Sequence, residues 1–393
     1  MLHANTQTLT LGYLSRPNPG MGVKEDTPLR AWVRIQGGTW QVCTFDGQPE
    51  VTMKGWPDEA TMKPDVAQNI YTDPIPGPWR LGDMIDVLTW GQSSGTTMGA
   101  QADLDGAYDY GNLAGSPETV SSAATTAFLP GGRGVRPSLM LGASRGTASW
   151  ALLGDSNSVN PPAPYFAQAF RGRNISHTMN GKHGLANWNL FDGPDIKNGW
   201  WEYQIGEQLK YCDSVFNGLI TNDMQKATFP SEYGTRDKWI GQMILDLAAK
   251  AKGLGVKRWV QATLQPTASS TDNYATLANQ TPGWVGVRAP LNQWLRDGAP
   301  CDANGKRVET GTAGANRCAV VTYAGTVKAG SGSHPFGSGW VSEVGAALEP
   351  TPDDGRYRVD GERVAGADPI HYAQAGHDRQ AKILARDLAL MGF

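Results

Sequence analysis

Trp150-Ala151-Leu152-Leu153-Gly154-Asp155-Ser156-Asn157-Ser158 is the stretch whose reading decides the fold. Four apolar residues followed by turn-formers predict a short buried strand that ends at Gly154 and bends toward a helix. That bend leaves the Ser156 hydroxyl at the carboxyl edge of a sheet. Far downstream, Asp368-Pro369-Ile370-His371 offers an imidazole and a carboxylate from one turn of backbone, close enough for the acid to orient the base. Serine, aspartate and histidine, in that chain order, can meet as nucleophile, orienting carboxylate and base.

Working outward, residues from about 146 to 393 alternate strand and helix signals. Strands are expected at 149–153, 214–220, 257–264 and 319–323, and helices at 236–252, 291–296 and 375–391. In the first of these helices Trp239, Ile240, Met243, Ile244, Leu247 and Ala248 make one apolar face. Such alternation predicts a mainly parallel sheet covered on both faces, with ligands at the carboxyl ends of the strands. Ser156 and Asn222 both follow predicted strands and belong at that edge. Residues 1–145 read instead as an all-β, β-sandwich-like module. Ala31, Val33 and Ile35 alternate with Arg30, Arg34 and Gln36, and turn-formers such as Asp46-Gly47 and Pro74-Ile75-Pro76-Gly77-Pro78 separate the runs. Residues 95–135, rich in small residues, read as a long loop.

Composition narrows the function classes. The 34 basic and 37 acidic residues give a formal charge of −3 without a long run of either sign, so nucleic acid is not an expected partner. Residues 1–15 lack a basic start and a continuous apolar stretch, so no signal peptide is expected there, and no apolar run reaches the ~18 residues of a membrane span. The compartment stays open, with an extracellular or periplasmic place among the candidates, and the oligomeric state is not legible. Neither Cys-x-x-Cys nor His-Glu-x-x-His occurs, so no metal site is expected. Of the four cysteines, Cys43 and Cys212 sit in apolar runs, whereas Cys301 and Cys318 bracket a Gly/Asn/Thr-rich loop and are expected to form one disulfide. Fourteen tryptophans are more than such a core needs. Trp56, Trp188, Trp200 and Trp201 are candidate platforms for sugar rings.

Taken in order, Gly154-Asp155-Ser156, a glycine within 181–184, Asn222-Asp223 and Asp368-x-x-His371 resemble the four blocks of the SGNH (GDSL-type) hydrolase family. The resemblance implies a flavodoxin-like three-layer α/β/α SGNH hydrolase domain at 146–393, preceded by the β-rich module at 1–145. It implies Ser156 as nucleophile, His371 as base, Asp368 as its partner, and Gly181 with Asn222 completing the oxyanion hole, Gly184 being the alternative to Gly181. Ile220 departs from the pattern, standing where the family carries a glycine. The glycine of the second block also lies farther from Asn174 than is usual. The activity implied is hydrolysis of esters through an acyl-serine, with no cofactor and with an acylated small molecule or polysaccharide as substrate. The tryptophans favour acetyl esters of carbohydrate. The alternatives are a lipase or thioesterase of the same family, or a non-catalytic glycan-binding or virion surface protein built on the same scaffold.

Overall fold

The computed structural model describes residues 6–13, 26–53, 69–80, 83–91, 139–142, 148–159, 163–181, 184–191, 201, 205–219 and 221–393. The loop expected at 95–135 lies outside them, as do Trp56, Trp200, His183 and Ile220. The described residues form two units. One holds those before Ala148 together with Pro194–Tyr211, and the other holds the rest of Ala148–Phe393.

In the first unit, β1 (Thr6–Tyr13), β2 (Thr27–Ile35), β3 (Gln41–Val42), β4 (Val51–Met53), β5 (Ile70–Tyr71), β6 (Ile75–Trp79), β7 (Ile85–Gly91) and β8 (Leu139–Gly142) make two antiparallel sheets, one around β1 and one around β2. Alternation explains them: Leu9, Leu11 and Tyr13 of β1 and Leu29, Ala31 and Val33 of β2 enter one apolar cluster with Phe45 and Trp79. Arg30 and Arg34, of the opposite parity in β2, form ion pairs instead, Arg34 with Asp86 at 2.8 Å and Arg30 with Glu50 at 2.8 Å.

The second unit is built on β9 (Ser149–Gly154), β10 (Ser176–Gly181), β11 (Ser214–Asn217), β12 (Arg258–Ala262), a β13–β14 hairpin (Ala268–Ser270, Gln280–Pro282), β15 (Ala319–Val321), β16 (Val327–Lys328) and β17 (Trp340–Ser342). Outside the hairpin, the strands join in the order β10-β9-β11-β12-β17-β15-β16, parallel except for β16. Helices follow as α1 (Ser156–Val159), α2 (Tyr165–Gly172), α3 (Asn187–Phe191), α4 (Thr221–Gln225), α5 (Arg236–Gly253), α6 (Val285–Arg296) and α7 (Gln374–Leu390). Trp150, Leu152, Phe216 and Val260 of one sheet face pack with Phe166 and Phe170 of α2 and Leu384 and Leu388 of α7. Ala151, Leu153, Val215 and Trp259, of opposite parity, are equally buried. Asn217 shares that second face and bonds Asn187, which puts α3 there, and α3 packs on α5 and α5 on α6. A parallel sheet covered on both sides results, as continuous apolar strands require.

Several expectations are corrected. Edge strand β10 is not among the expected strands because Ser176, His177 and Thr178 are polar, yet an edge strand is only half covered and tolerates them. Helix α6 starts at Val285 rather than 291, running through Pro290 at the cost of one backbone bond. The expected Cys301–Cys318 disulfide is not formed, since both are buried free thiols. Cys301 pairs with Asn316 through two backbone bonds (3.0 and 2.8 Å), which sets Cys318 on a diagonal of that ladder. Diagonal Cβ atoms lie ~7 Å apart, well beyond the ~4 Å that a disulfide spans. Trp201 is buried and presents no face to a sugar, and Trp79, Trp150, Trp259 and Trp294 are core residues. No helix among the described residues is long and apolar enough to cross a membrane.

Candidate active site

Strand β9 ends at Gly154 because only glycine fits: a Cβ there would overlap the Ser158 side chain and the Phe166 ring. Asp155 then closes the turn, its Oδ1 accepting from Asn157 N (2.9 Å) and its carbonyl from Ser158 N (2.9 Å) and Ser158 Oγ (2.5 Å). Ser156 thereby opens α1, 8% exposed. Burial pushes the Asp155 carboxyl up to about 6, against the pull of the Asn157 N–H and of His371.

His371 Nε2 lies 2.8 Å from Ser156 Oγ and its Nδ1 2.7 Å from Asp368 Oδ2. Asp368 Oδ1 accepts from Ile370 N and His371 N, each at 2.8 Å, so one carboxylate fixes both the turn and the ring. Burial pulls the Asp368 carboxyl upward, but the backbone and ring donors of His371 outweigh it and hold it below the usual carboxylate range. An ionised Asp368 accepts the Nδ1 proton, which leaves Nε2 free to accept from the serine hydroxyl. The turn is braced from behind. Tyr357 Oη donates to Pro369 O (3.2 Å), and Ala268 N to the same carbonyl (3.2 Å). Helix α7, which follows His371, packs on α2, which follows Ser156. Gln168 Nε2 donates to Asp378 Oδ1 (2.9 Å), and Gln168 and Gln374 both donate to Ala163 O (2.7 and 2.9 Å).

The remaining expected residues cluster at neighbouring strand ends. Gly181 closes β10, in register with Gly154 of β9, and is buried inside the ladder. Gly184 stands beyond that strand, exposed, with a φ of +72° that favours glycine. Asn222 lies in the first turn of α4, half-buried, its Nδ2 donating to Leu185 O at 2.9 Å. Its side chain is thus tied to the residue next to Gly184, not to Gly181. Asp223 is fully buried and accepts from Asn187 N (3.0 Å), Asn187 Nδ2 (2.9 Å) and Trp188 N (3.0 Å), with burial raising its carboxyl to about 6 against those donors.

His177, His377 and Trp188 have structural partners. His177 Nδ1 sits 2.8 Å from Ile175 O and its ring meets Phe170 edge-on. His377, which reads from sequence as a surface or supporting residue, is buried between Tyr165 and Tyr372, where burial holds its pKa at about 3 and keeps it neutral. The Trp188 ring carries the Lys226 ammonium 4.0 Å from its centroid, so one face is already covered. Sequence reasoning missed Tyr357 and a buried amide network at Asn187, Asn217 and Gln261. The one available signal was asparagine where a helix begins and where a strand ends.

No family model matches the chain, and no curated protein matches it. Among solved structures it is similar to the lipase Lip_vut3 from a goat rumen metagenome at 12% identity, over 63% of this chain and 98% of that one, with a TM-score of 0.37. A lipolytic G-D-S-L family protein of Desulfitobacterium hafniense gives 12%, 61%, 99% and 0.36. A catalytic mutant of Axe2, an acetylxylan esterase from Geobacillus stearothermophilus, gives 14%, 63%, 94% and 0.35.

Proposed function

We propose that the second unit is a serine carboxylic ester hydrolase of the SGNH type. The observation that carries this reading is the continuous Asp368–His371–Ser156 relay at 2.7 and 2.8 Å on the carboxyl edge of a parallel sheet. Ser156 Oγ attacks the ester carbonyl while its proton passes to His371 Nε2, and Asp368 holds the resulting imidazolium. The imidazolium protonates the leaving alcohol, and His371 then draws a proton from water, whose attack on the acyl-serine regenerates the enzyme. The tetrahedral oxyanion needs preorganised donors. Ser156 N–H, the second amide hydrogen of Asn222 and a glycine N–H are the candidates. Gly184 suits that last role better than Gly181, because it is exposed, stands outside the strand ladder and adjoins the residue to which Asn222 is bonded.

The substrate we favour is a small acyl group, acetyl foremost, on a polar alcohol such as a sugar. In support, the relay is open and polar. The side chains of His371 and Asp368 are 34% and 48% exposed. Such surroundings solvate a sugar hydroxyl better than an alkyl chain. The test is kcat/KM across p-nitrophenyl acetate, butyrate and octanoate, with acetate release from acetylated xylan, each beside Ser156→Ala. Acetate is expected to be the best acyl group and Ser156→Ala to be inactive. A preference for octanoate moves the reading to a lipase, and turnover by Ser156→Ala refutes the esterase.

A further inference from the structure

Asn187 is fully buried and has every amide hydrogen engaged. Its Nδ2 donates to Leu219 O (3.0 Å) and Asp223 Oδ2 (2.9 Å), its Oδ1 accepts from Asn217 Nδ2 (3.0 Å), and its backbone N–H donates to Asp223 Oδ2 (3.0 Å). Asn217 continues the chain into the sheet. Its Nδ2 also donates to Gln261 Oε1 (2.9 Å), which takes a second bond from Trp259 Nε1 (3.2 Å), while its Oδ1 accepts from Leu219 N (3.1 Å). Gln261 Nε2 closes the network on Asn217 O (3.2 Å) and Ala262 O (3.1 Å). This line of amides runs from β12 through β11 to α3 and ends at Asp223, beside Asn222.

Two short segments meet at Asn187. One is 184–188, with Gly184 and with Leu185, the acceptor of Asn222. The other holds Leu219, Thr221 and Asp223, with Asn222 itself. An apolar side chain would fill the same space but would take a donor from the Leu219 carbonyl, leave Asp223 with only its two backbone donors and leave Asn217 Nδ2 with Gln261 Oε1 alone. A buried network with its donors engaged fixes one arrangement of the segments it joins. Resting on the esterase reading, we propose that Asn187 is a positioning residue for the oxyanion hole, holding the Gly184 turn and Asn222 at the spacing a tetrahedral oxyanion needs. It touches no reacting atom and acts through those two donors.

The experiment is a double-mutant cycle on the full chain with p-nitrophenyl acetate. Kinetics are scaled to active sites counted by a fluorophosphonate label run to completion on Ser156. Asn187→Ala is expected to lower kcat per labelled site by about 10–30-fold with KM within about twofold, a fraction of the ~10²–10³ that losing a donor outright costs. In an Asn222→Ala background the same change is expected to cost less than about threefold, because the two act on one structure. Since Asn187→Ala removes three buried side-chain bonds at once, Asn187→Ser is made beside it, and its kcat per site is expected to fall between those of wild type and Asn187→Ala. If Asn187→Ala does not fold, the serine variant decides. Full additivity with Asn222→Ala, or a wild-type kcat per site in the variant that folds, overturns the inference while leaving the esterase intact. A wild-type chain inert to every ester overturns both.

Discussion

Replacing Asp368 by asparagine should damage the site more than replacing it by alanine. Asp368 Oδ1 faces two backbone donors, Ile370 N and His371 N, each at 2.8 Å, and Oδ2 faces His371 Nδ1 at 2.7 Å. An asparagine amide cannot turn its NH2 toward two N–H groups, so its oxygen takes the Oδ1 place and its NH2 points at Nδ1. The ring proton then moves to Nε2, which meets Ser156 Oγ as a donor and can no longer serve as base. The imidazolium also loses its counter-charge. Alanine imposes no tautomer. The Asp368 side chain is 48% exposed, so water can take its place at Nδ1. We expect kcat/KM to fall roughly 10³–10⁴-fold for Asp368→Asn, about 4–5.5 kcal/mol of barrier, and roughly 10–10²-fold for Asp368→Ala. The assay is p-nitrophenyl acetate hydrolysis at pH 7.5, with Ser156→Ala as the floor and thermal melts confirming the fold. An asparagine variant at least as active as the alanine variant, or either within about threefold of wild type, refutes the tautomer argument.

The buried neutral His377 gives a pH signature. Its folded pKa of about 3 lies below the unfolded value, so its share of stability is present above pH ~6.5 and is lost as pH falls toward ~3. His377→Phe keeps the ring between Tyr165 and Tyr372 and removes that loss, so urea melts at pH 7.5 and 5 should show the variant gaining on wild type by about 2 kcal/mol at the lower pH. An equal gap at both values would contradict the assignment. Buried Cys301 and Cys318 should react with a thiol reagent only after unfolding, burial pushing the Cys301 thiol up to about 11. A bridged peptide in a non-reducing digest would show that the ladder geometry yields to oxidation.

The sequence exposed most plainly what depends on local pattern. Strand β9 and its turn were legible because a short apolar run bounded by Gly-Asp-Ser has few other uses, and α5 because six apolar residues share one face. The Asp-x-x-His turn was legible for the same reason, since its hydrogen bonds lie within four residues. What escaped depends on distant partners. Strand β10 takes its character from lying beside β9, and its own polar residues argue against it. The preference proposed for Gly184 over Gly181 rests in part on a bond between Asn222 and Leu185 that no spacing encodes. Trp201 misled because a tryptophan among glycines and asparagines looks exposed, while in the fold it is buried.

The pairing of α2 with α7 also has a consequence for the order of events during synthesis. Ser156 and His371 are 215 residues apart, and the helix after each is half of the clasp that joins them. A ribosome adding about 5–20 residues per second finishes the serine turn roughly 10–40 seconds before it makes the histidine. On the esterase reading proposed above, the nascent chain carries throughout that interval an ordinary alcohol where the finished chain would carry an activated one. On that reading, reactivity would arrive late and all at once, when the last helix docks.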